Sequence, residues 1–127
     1  LLPERRDVIE EFTVSDCLFC GIIEGKVKGD IVYQDDAVVA FKDIGPKAPV
    51  HLLIVPRKHI ASVSSLEPAD GSLVGAIFIT AAKLAKDFAI ADSGYRVVVN
   101  NGADAGQSVF HLHYHLLGGR QMRWPPG

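Results

Sequence analysis

An α+β fold built on one antiparallel sheet is what this sequence predicts, and three observations predict it. β-rich runs lie on both sides of a single long helical pattern, and no strand–helix alternation repeats along the chain. The first two runs are joined through Asp35-Asp36, a connection short enough for a hairpin. His111, His113 and His115 alternate with Leu112, Tyr114 and Leu116, which is the two-residue period of a strand. The expectation is a sheet of about five strands with one long and one short helix. It forms a single domain over residues 17–127, after an N-terminal arm over 1–16.

Residues 1–15 read as a polar arm, charged at Glu4, Arg5, Arg6, Asp7, Glu10 and Glu11 and without the apolar stretch of a secretory signal. Cys17–Glu24 reads as a short helix, with Leu18, Ile22 and Ile23 at a partial helical period. Gly29-Asp30 breaks the chain before the strand Ile31–Tyr33, and Ala37–Lys42 is the returning strand. Gly45-Pro46 and Pro49 mark a stiff loop, and His51–Val55 is the next strand, closed by Pro56. A helix fits Ser72 to about Ala89: Ser72 caps it, and Leu73, Ile77, Ala81, Leu84 and Phe88 share a face that Lys83, Lys86 and Asp87 avoid. It would be roughly 27 Å long, enough to cover one face of a small sheet. After Asp92-Ser93-Gly94 come the strand Tyr95–Asn100, the polar loop Asn101–Ser108 and the final strand Val109–Leu117. The tail Trp124-Pro125-Pro126-Gly127 continues neither a helix nor a central strand.

Composition excludes several classes of function. At 127 residues, with 48% hydrophobic and 22% charged, the chain has enough apolar material for one core. A formal net charge of −2 supplies no field for nonspecific binding of nucleic acid or an anionic membrane. The longest uncharged apolar stretch, Leu73–Ala82, is too short to cross a bilayer. Without a secretory signal, Cys17 and Cys20 point to a reduced compartment, where a Cys-x-x-Cys more often binds metal or works in redox than forms a structural disulfide. The expected location is cytoplasmic, extending to the nucleus, or organellar if a targeting peptide has been removed ahead of Leu1. A thioredoxin-like role would need a βαβ context that does not surround the pair.

The histidine strand carries the chemistry. Period two puts three imidazoles on one face, with the outer two roughly 13 Å apart, too far for one metal ion to take all three from a straight strand. The three should therefore do different jobs. Gly102, Gly106, Gln107 and Ser108 run directly into His111, and glycine amides with a serine hydroxyl suit an anion. Together they point to a phosphate held beside an imidazole nucleophile, with transfer through a covalent histidine intermediate. A plain polar strand face would instead mix Thr, Lys and Glu. A cupin-like metalloenzyme, with His111 and His113 on the metal, would need further ligands from a β-barrel, and this chain devotes its middle to a helix.

His111–Leu117 resembles the signature of the histidine triad (HIT) superfamily, three histidines alternating with apolar residues. The likeness extends over Cys17–Ile23, Ala40–Ile44, Ala48–His51, Ile54–Ile60, Gly94–Arg96, Val99-Asn100 and Gly106–Phe110. The ending Gly118–Met122 with Trp124–Gly127 is similar to the Hint branch, the histidine triad nucleotide-binding proteins. A histidine at 115, where the galactose-1-phosphate uridylyltransferase branch has Gln, favours hydrolysis over transfer. The resemblance implies a homodimer joining two sheets and a purine nucleoside phosphoramidase that cleaves P–N bonds in AMP-amine conjugates such as AMP-lysine. Carried over by position, His113 is the nucleophile, His115 holds phosphate oxygens, and His51 orients the group or relays protons. Ser108 with Gly106, Gln107 and Val109 binds phosphate and leaving group, with Asn100 nearby. Asp43 accepts ribose hydroxyls, Leu18, Phe19, Ile22, Phe41, Ile44 and Leu53 sandwich the purine, and Trp124 approaches the partner's site. Spacing alone reads Asp43 as the start of a turn, His51 as a structural histidine and the Leu18/Phe19/Ile22 group as core.

Cys17 and Cys20 depart from the animal Hint proteins but match zinc-binding members of the superfamily. There the two thiolates join two histidines, which here are His59 and His111. The implied ion is a structural clip, with no catalytic metal. A nucleotide-binding protein acting mainly through protein partners is the alternative function.

Overall fold

The computed structural model describes residues 16–127; the arm expected over 1–16 therefore lies outside the described residues except for Asp16. Five antiparallel strands form one sheet: β1 (Ile31–Gln34), β2 (Val38–Lys42), β3 (Val50–Pro56), β4 (Tyr95–Val99) and β5 (Tyr114–Gly118). Their order is β1-β2-β3-β5-β4, so the last strand inserts between β3 and β4. The short helix α1 (Leu18–Ile23) and the long helix α2 (Gly71–Asp87) complete the α+β architecture.

Strand alternation divides the interior in two. Val38 and Ala40 of β2, Leu52 and Ile54 of β3, and Leu112, Tyr114 and Leu116 face α2, where Ile77, Ala81, Leu84 and Ala85 meet them. Val39, Phe41, Leu53 and Val55 face the other way and pack against Phe19 and Ile22 of α1. Burying each large aliphatic or aromatic side chain contributes about 1.5–3 kcal/mol, so both layers hold the sheet firmly. The sheet is thus covered on one face by the long helix. On the other face, α1 covers only part of it, and the histidines occupy the remainder.

Several boundaries differ from expectation, among them these three. Ser72 does not cap α2: Asp70 occupies the cap position, accepting the Glu67 N–H on Oδ2 (2.9 Å) and the Lys58 ammonium on Oδ1 (2.8 Å). The Asp70 carboxylate makes no cap bond to α2 and closes the preceding Pro68–Asp70 turn at Glu67; that turn runs straight into the helix at Gly71, which leaves Ser72 inside it. Pro56 is the last residue of β3 and not a residue beyond it. The final strand begins at Tyr114, not Val109, because the 109–113 backbone pairs elsewhere; the Leu112 N–H, for instance, donates to Ile60 O at 2.6 Å. His111 and His113 therefore precede the strand, and only His115 lies within it. The alternation survives: Leu112, Tyr114 and Leu116 remain in the α2-facing core.

Candidate active site

His113 and His115 have adjacent rings, with centroids 5.1 Å apart, and Phe19 of α1 stands edge-on to His113 at 5.0 Å. The proton on each ring is assigned by what its other nitrogen meets. His113 Nδ1 lies 2.7 Å from the His111 carbonyl oxygen. A carbonyl can only accept, so Nδ1 carries the hydrogen and Nε2 keeps its lone pair. No protein partner for that Nε2 is found among the described residues. In the neutral imidazole the nucleophilic nitrogen of His113 is therefore free.

His115 is set by a chain that begins on the backbone. The Lys47 N–H donates to His51 Nδ1 at 3.0 Å, which forces the hydrogen of neutral His51 onto Nε2. His51 Nε2 then donates to His115 Nδ1 at 2.9 Å, with the Asp43 carboxylate 3.5 Å from the same nitrogen. The hydrogen of His115 must sit on Nε2, and that atom is buried without a partner. An orphaned buried donor costs about 1–3 kcal/mol, a cost that an incoming acceptor oxygen removes. Burial, with the neighbouring His113 and His51 rings adding to it against the opposing Asp43 carboxylate, holds His115 down at about 4, so it is a neutral donor near pH 7. Burial also lowers His51, against the opposing Asp43 carboxylate, with Lys47 adding to the shift. His51, expected from spacing alone to be structural, is 6% exposed yet hydrogen-bonded into the site. Asp43 does begin a turn, accepting the Gly45 N–H on Oδ1 at 2.7 Å, and turns its other oxygen to His51.

The second cluster lies at the N-terminus of α1. Cys17, Cys20, His59 and His111 bring four ligand atoms within 4.8 Å of one another. Each cysteine Sγ is 3.5 Å from His111 Nδ1, Cys20 Sγ is 3.3 Å from His59 Nδ1, and the two Nδ1 atoms are 3.1 Å apart. Around a tetrahedral zinc the corresponding edges are roughly 3.6 Å for sulfur to nitrogen and roughly 3.4 Å for nitrogen to nitrogen. The residues fit such an ion. His111 also presents the correct atom, since its Nε2 donates to Pro56 O at 2.8 Å and leaves the Nδ1 lone pair facing the thiols. Burial lowers His111 to about 4, and burial with the Cys17 hydrogen bond and charge raises Cys20 to about 12. Both directions describe ligands that lack a compensating cation.

The remaining predicted residues fall into place unevenly. Phe19, Ile22, Phe41 and Leu53 pack against one another as core and are no more than 6% exposed. Leu18 is 48% exposed, and Ile44 stands wholly in solvent at 103%, so the structure does not bring these two into that apolar layer. Leu18, Ser108 and Val109 line a cleft of about 250 Å³ with Asp16, Cys17 and Phe110. Gly102 and Gly106 take φ of +84° and +81°, conformations that glycine adopts without strain, and Ser108 follows exposed. Asn100 directly follows β4, whose last pair is Val99↔Tyr114. The resemblance places the 106–109 backbone at the phosphate, and the Gln107 carboxamide is spent on other backbone groups. Trp124 is 80% exposed beside the Arg96 guanidinium. Sequence reasoning missed the Lys47 amide, the Pro56 carbonyl and the Lys58–Asp70 pair; backbone groups carry no side-chain signal by which to find them.

Residues 24–122 match the HIT domain. The chain belongs to the HIT family. An uncharacterised HIT-like protein of Synechocystis is 47% identical over 112 residues, covering 88% of this chain and 97% of its own. A HIT family hydrolase from Legionella pneumophila superposes with a TM-score of 0.87 at 48% identity, over 88% of this chain and all of the other. A histidine triad nucleotide-binding protein from Candida albicans superposes at 0.74 with 31% identity, over 87% and 83%. The HIT fold expected from the sequence is therefore the one observed, in its monomeric unit. Among the described residues no helix is long and apolar enough to cross a membrane.

Proposed function

We propose that this HIT protein is a purine nucleoside phosphoramidase of the Hint type, hydrolysing P–N bonds of AMP-amine conjugates such as AMP-lysine. One observation carries the reading: a free His113 Nε2 lone pair stands beside His115, whose orphaned, buried Nε2–H has nothing to donate to among the described residues. A nucleophile next to an unused donor suits a phosphoryl centre, where one nitrogen attacks phosphorus and the other holds an oxygen. His113 Nε2 forms the bond to phosphorus as the P–N bond breaks, and the leaving nitrogen takes a proton from solvent that the attacking water of the second step gives back. Water then attacks the nucleotidyl-histidine, giving AMP and restoring the free imidazole. The Asp43–His51–His115 chain keeps the donor hydrogen on the inward nitrogen throughout. Ser108 and the glycine amides around it bind the phosphate and leaving group, Asp43 takes the ribose, and Leu18 and Ile44 flank the base over the Phe19–Phe41 layer.

Cys17, Cys20, His59 and His111 would hold a structural zinc ion, which when bound supplies a crosslink between α1, the loop after β3 and the histidine segment. The functional unit is a homodimer. The unpaired edge of β4, with Tyr95 and Val99 exposed along it, and the exposed Phe78 and Ile79 of α2 favour pairing with a second copy, whose Trp124 tail would reach across.

Hydrolysis of an adenosine phosphoramidate by wild type and His113→Ala is the test. Loss of about 10⁴-fold or more in kcat, with an AMP adduct trapped on wild type alone by alkaline denaturant, is the expected result. Unchanged turnover in His113→Ala overturns the nucleophile. Tight AMP binding without turnover by wild type favours a nucleotide-binding protein that works through partners.

A further inference from the structure

The segment from 100 to 113 has a problem to solve. It carries Ser108 to the site, yet it has two glycines in left-handed conformations and little regular structure to hold it. Gln107 supplies the restraint. Its side chain is 8% exposed, and its Oε1 accepts the Gly102 N–H at 2.9 Å. Both Nε2 hydrogens are used, donating to Ala61 O at 2.9 Å and Val109 O at 3.1 Å. A carboxamide has two hydrogens to give, so none remains for a phosphate oxygen.

The positions of these partners matter. Gly102 and Val109 lie on either side of Ser108, so one carboxamide fixes both flanks of the exposed hydroxyl. Ala61 lies outside the loop, two residues after His59, in a segment held by the Lys58–Asp70 pair, and Ser64 N–H to Asn101 Oδ1 at 2.8 Å and Leu112 N–H to Ile60 O tie the two ends of the 100–113 segment to the same stretch. The bond to Ala61 therefore anchors the glycine loop to a fixed point.

We infer that Gln107 is a positioning residue that does not touch nucleotide: its buried carboxamide clamps the 102–109 loop to Ala61 and holds Ser108 in register with His113. The inference rests on the proposed phosphoramidase reading for its kinetic consequence, but the clamp itself is testable without substrate. Two variants separate its halves. Gln107→Ala removes all three bonds. Gln107→Glu keeps an acceptor for the Gly102 N–H but has no hydrogen for Ala61 or Val109.

The experiment measures amide hydrogen exchange across 102–109, AMP affinity and adenosine phosphoramidate turnover in wild type and both variants. In Gln107→Ala, exchange across the loop accelerates at least about 10-fold. kcat falls about 10- to 100-fold in both variants, the scale of a misplaced catalytic contact, and AMP affinity weakens with it, because the loosened loop carries the amides that hold the phosphate. Gly102 stays protected in Gln107→Glu even as turnover is lost. Wild-type exchange in Gln107→Ala overturns the clamp. AMP affinity that weakens while exchange stays at wild type makes Gln107 a nucleotide contact, and wild-type turnover in Gln107→Glu removes the Ala61 bond from the account. A wild-type protein that turns over no phosphoramidate defeats the functional reading alone, and the exchange result still decides the clamp.

Discussion

Two clusters in this molecule are built from nearly the same residue types and are suited to opposite work. Cys17, Cys20, His59 and His111 converge at one end of the site, and Asp43, His51 and His115 converge at the other; in each, the ligand atoms lie within 4.8 Å of one another. Composition and distance would make both of them metal sites. The backbone on the far side of each ring separates them. Pro56 O takes the Nε2 hydrogen of His111, so a bare Nδ1 faces the thiols. The Lys47 N–H occupies the Nδ1 lone pair of His51, so a hydrogen points inward toward His115. One cluster presents lone pairs, and the other presents a directed chain of hydrogens. A cation on His51 Nε2 would have to displace that hydrogen while Nδ1 stayed occupied, which neutral imidazole does not allow.

The sharpest way to break this comparison is to remove one ligand from each cluster and count metal. Cys20→Ala should abolish stoichiometric zinc and lower Tm by more than about 10 °C, since the ion's binding energy is folding energy. His51→Ala should retain one zinc per chain. Zinc analysis with thermal melts checks both, and a second ion lost with His51 would erase the distinction.

A smaller effect belongs to catalysis. His51→Ala should lower kcat on an adenosine phosphoramidate by about 100-fold, because His115 loses the partner that keeps its hydrogen on Nε2. The same assay on zinc-loaded Lys58→Ala, away from that chain, should stay within about threefold of wild type.

The smallest effect is on the pH dependence of stability. In the unfolded chain a histidine takes a proton near 6.5, but folded His115 resists protonation until about 4. Between those values the unfolded state binds more protons, so stability falls as pH drops through the window and is fully present above it. His51 is lowered as well and adds in the same direction. For the zinc-loaded protein a fall in Tm of roughly 5 °C from pH 7 to 4.5, reduced in His115→Phe, is expected by thermal denaturation.

Much of this was legible in the sequence. The order of strands and helix, the face of α2 built on Ile77, Ala81 and Leu84, and the alternation of histidines with Leu112, Tyr114 and Leu116 all follow from period and composition. The Cys₂His₂ set was visible only through resemblance, because nothing local joins His59 to Cys17 across the chain. What stayed hidden was set by non-local backbone. Gln107 reads as an anion-loop residue until Ala61 is found against its amide. Ser72 reads as a helix cap until the Pro68–Asp70 turn is found to run straight into the helix at Gly71. His113 and His115 look equivalent until the His111 carbonyl and the Lys47 amide give them opposite tautomers.

Those tautomers are the centre of the account, and nitrogen-15 NMR of the imidazole rings in the zinc-loaded protein at about pH 8 reads them directly. The account predicts His113 with its hydrogen on Nδ1 and a bare Nε2, and His51 and His115 both with the hydrogen on Nε2. A spectrum with His113 protonated on Nε2, or with His115 protonated on Nδ1, would contradict it.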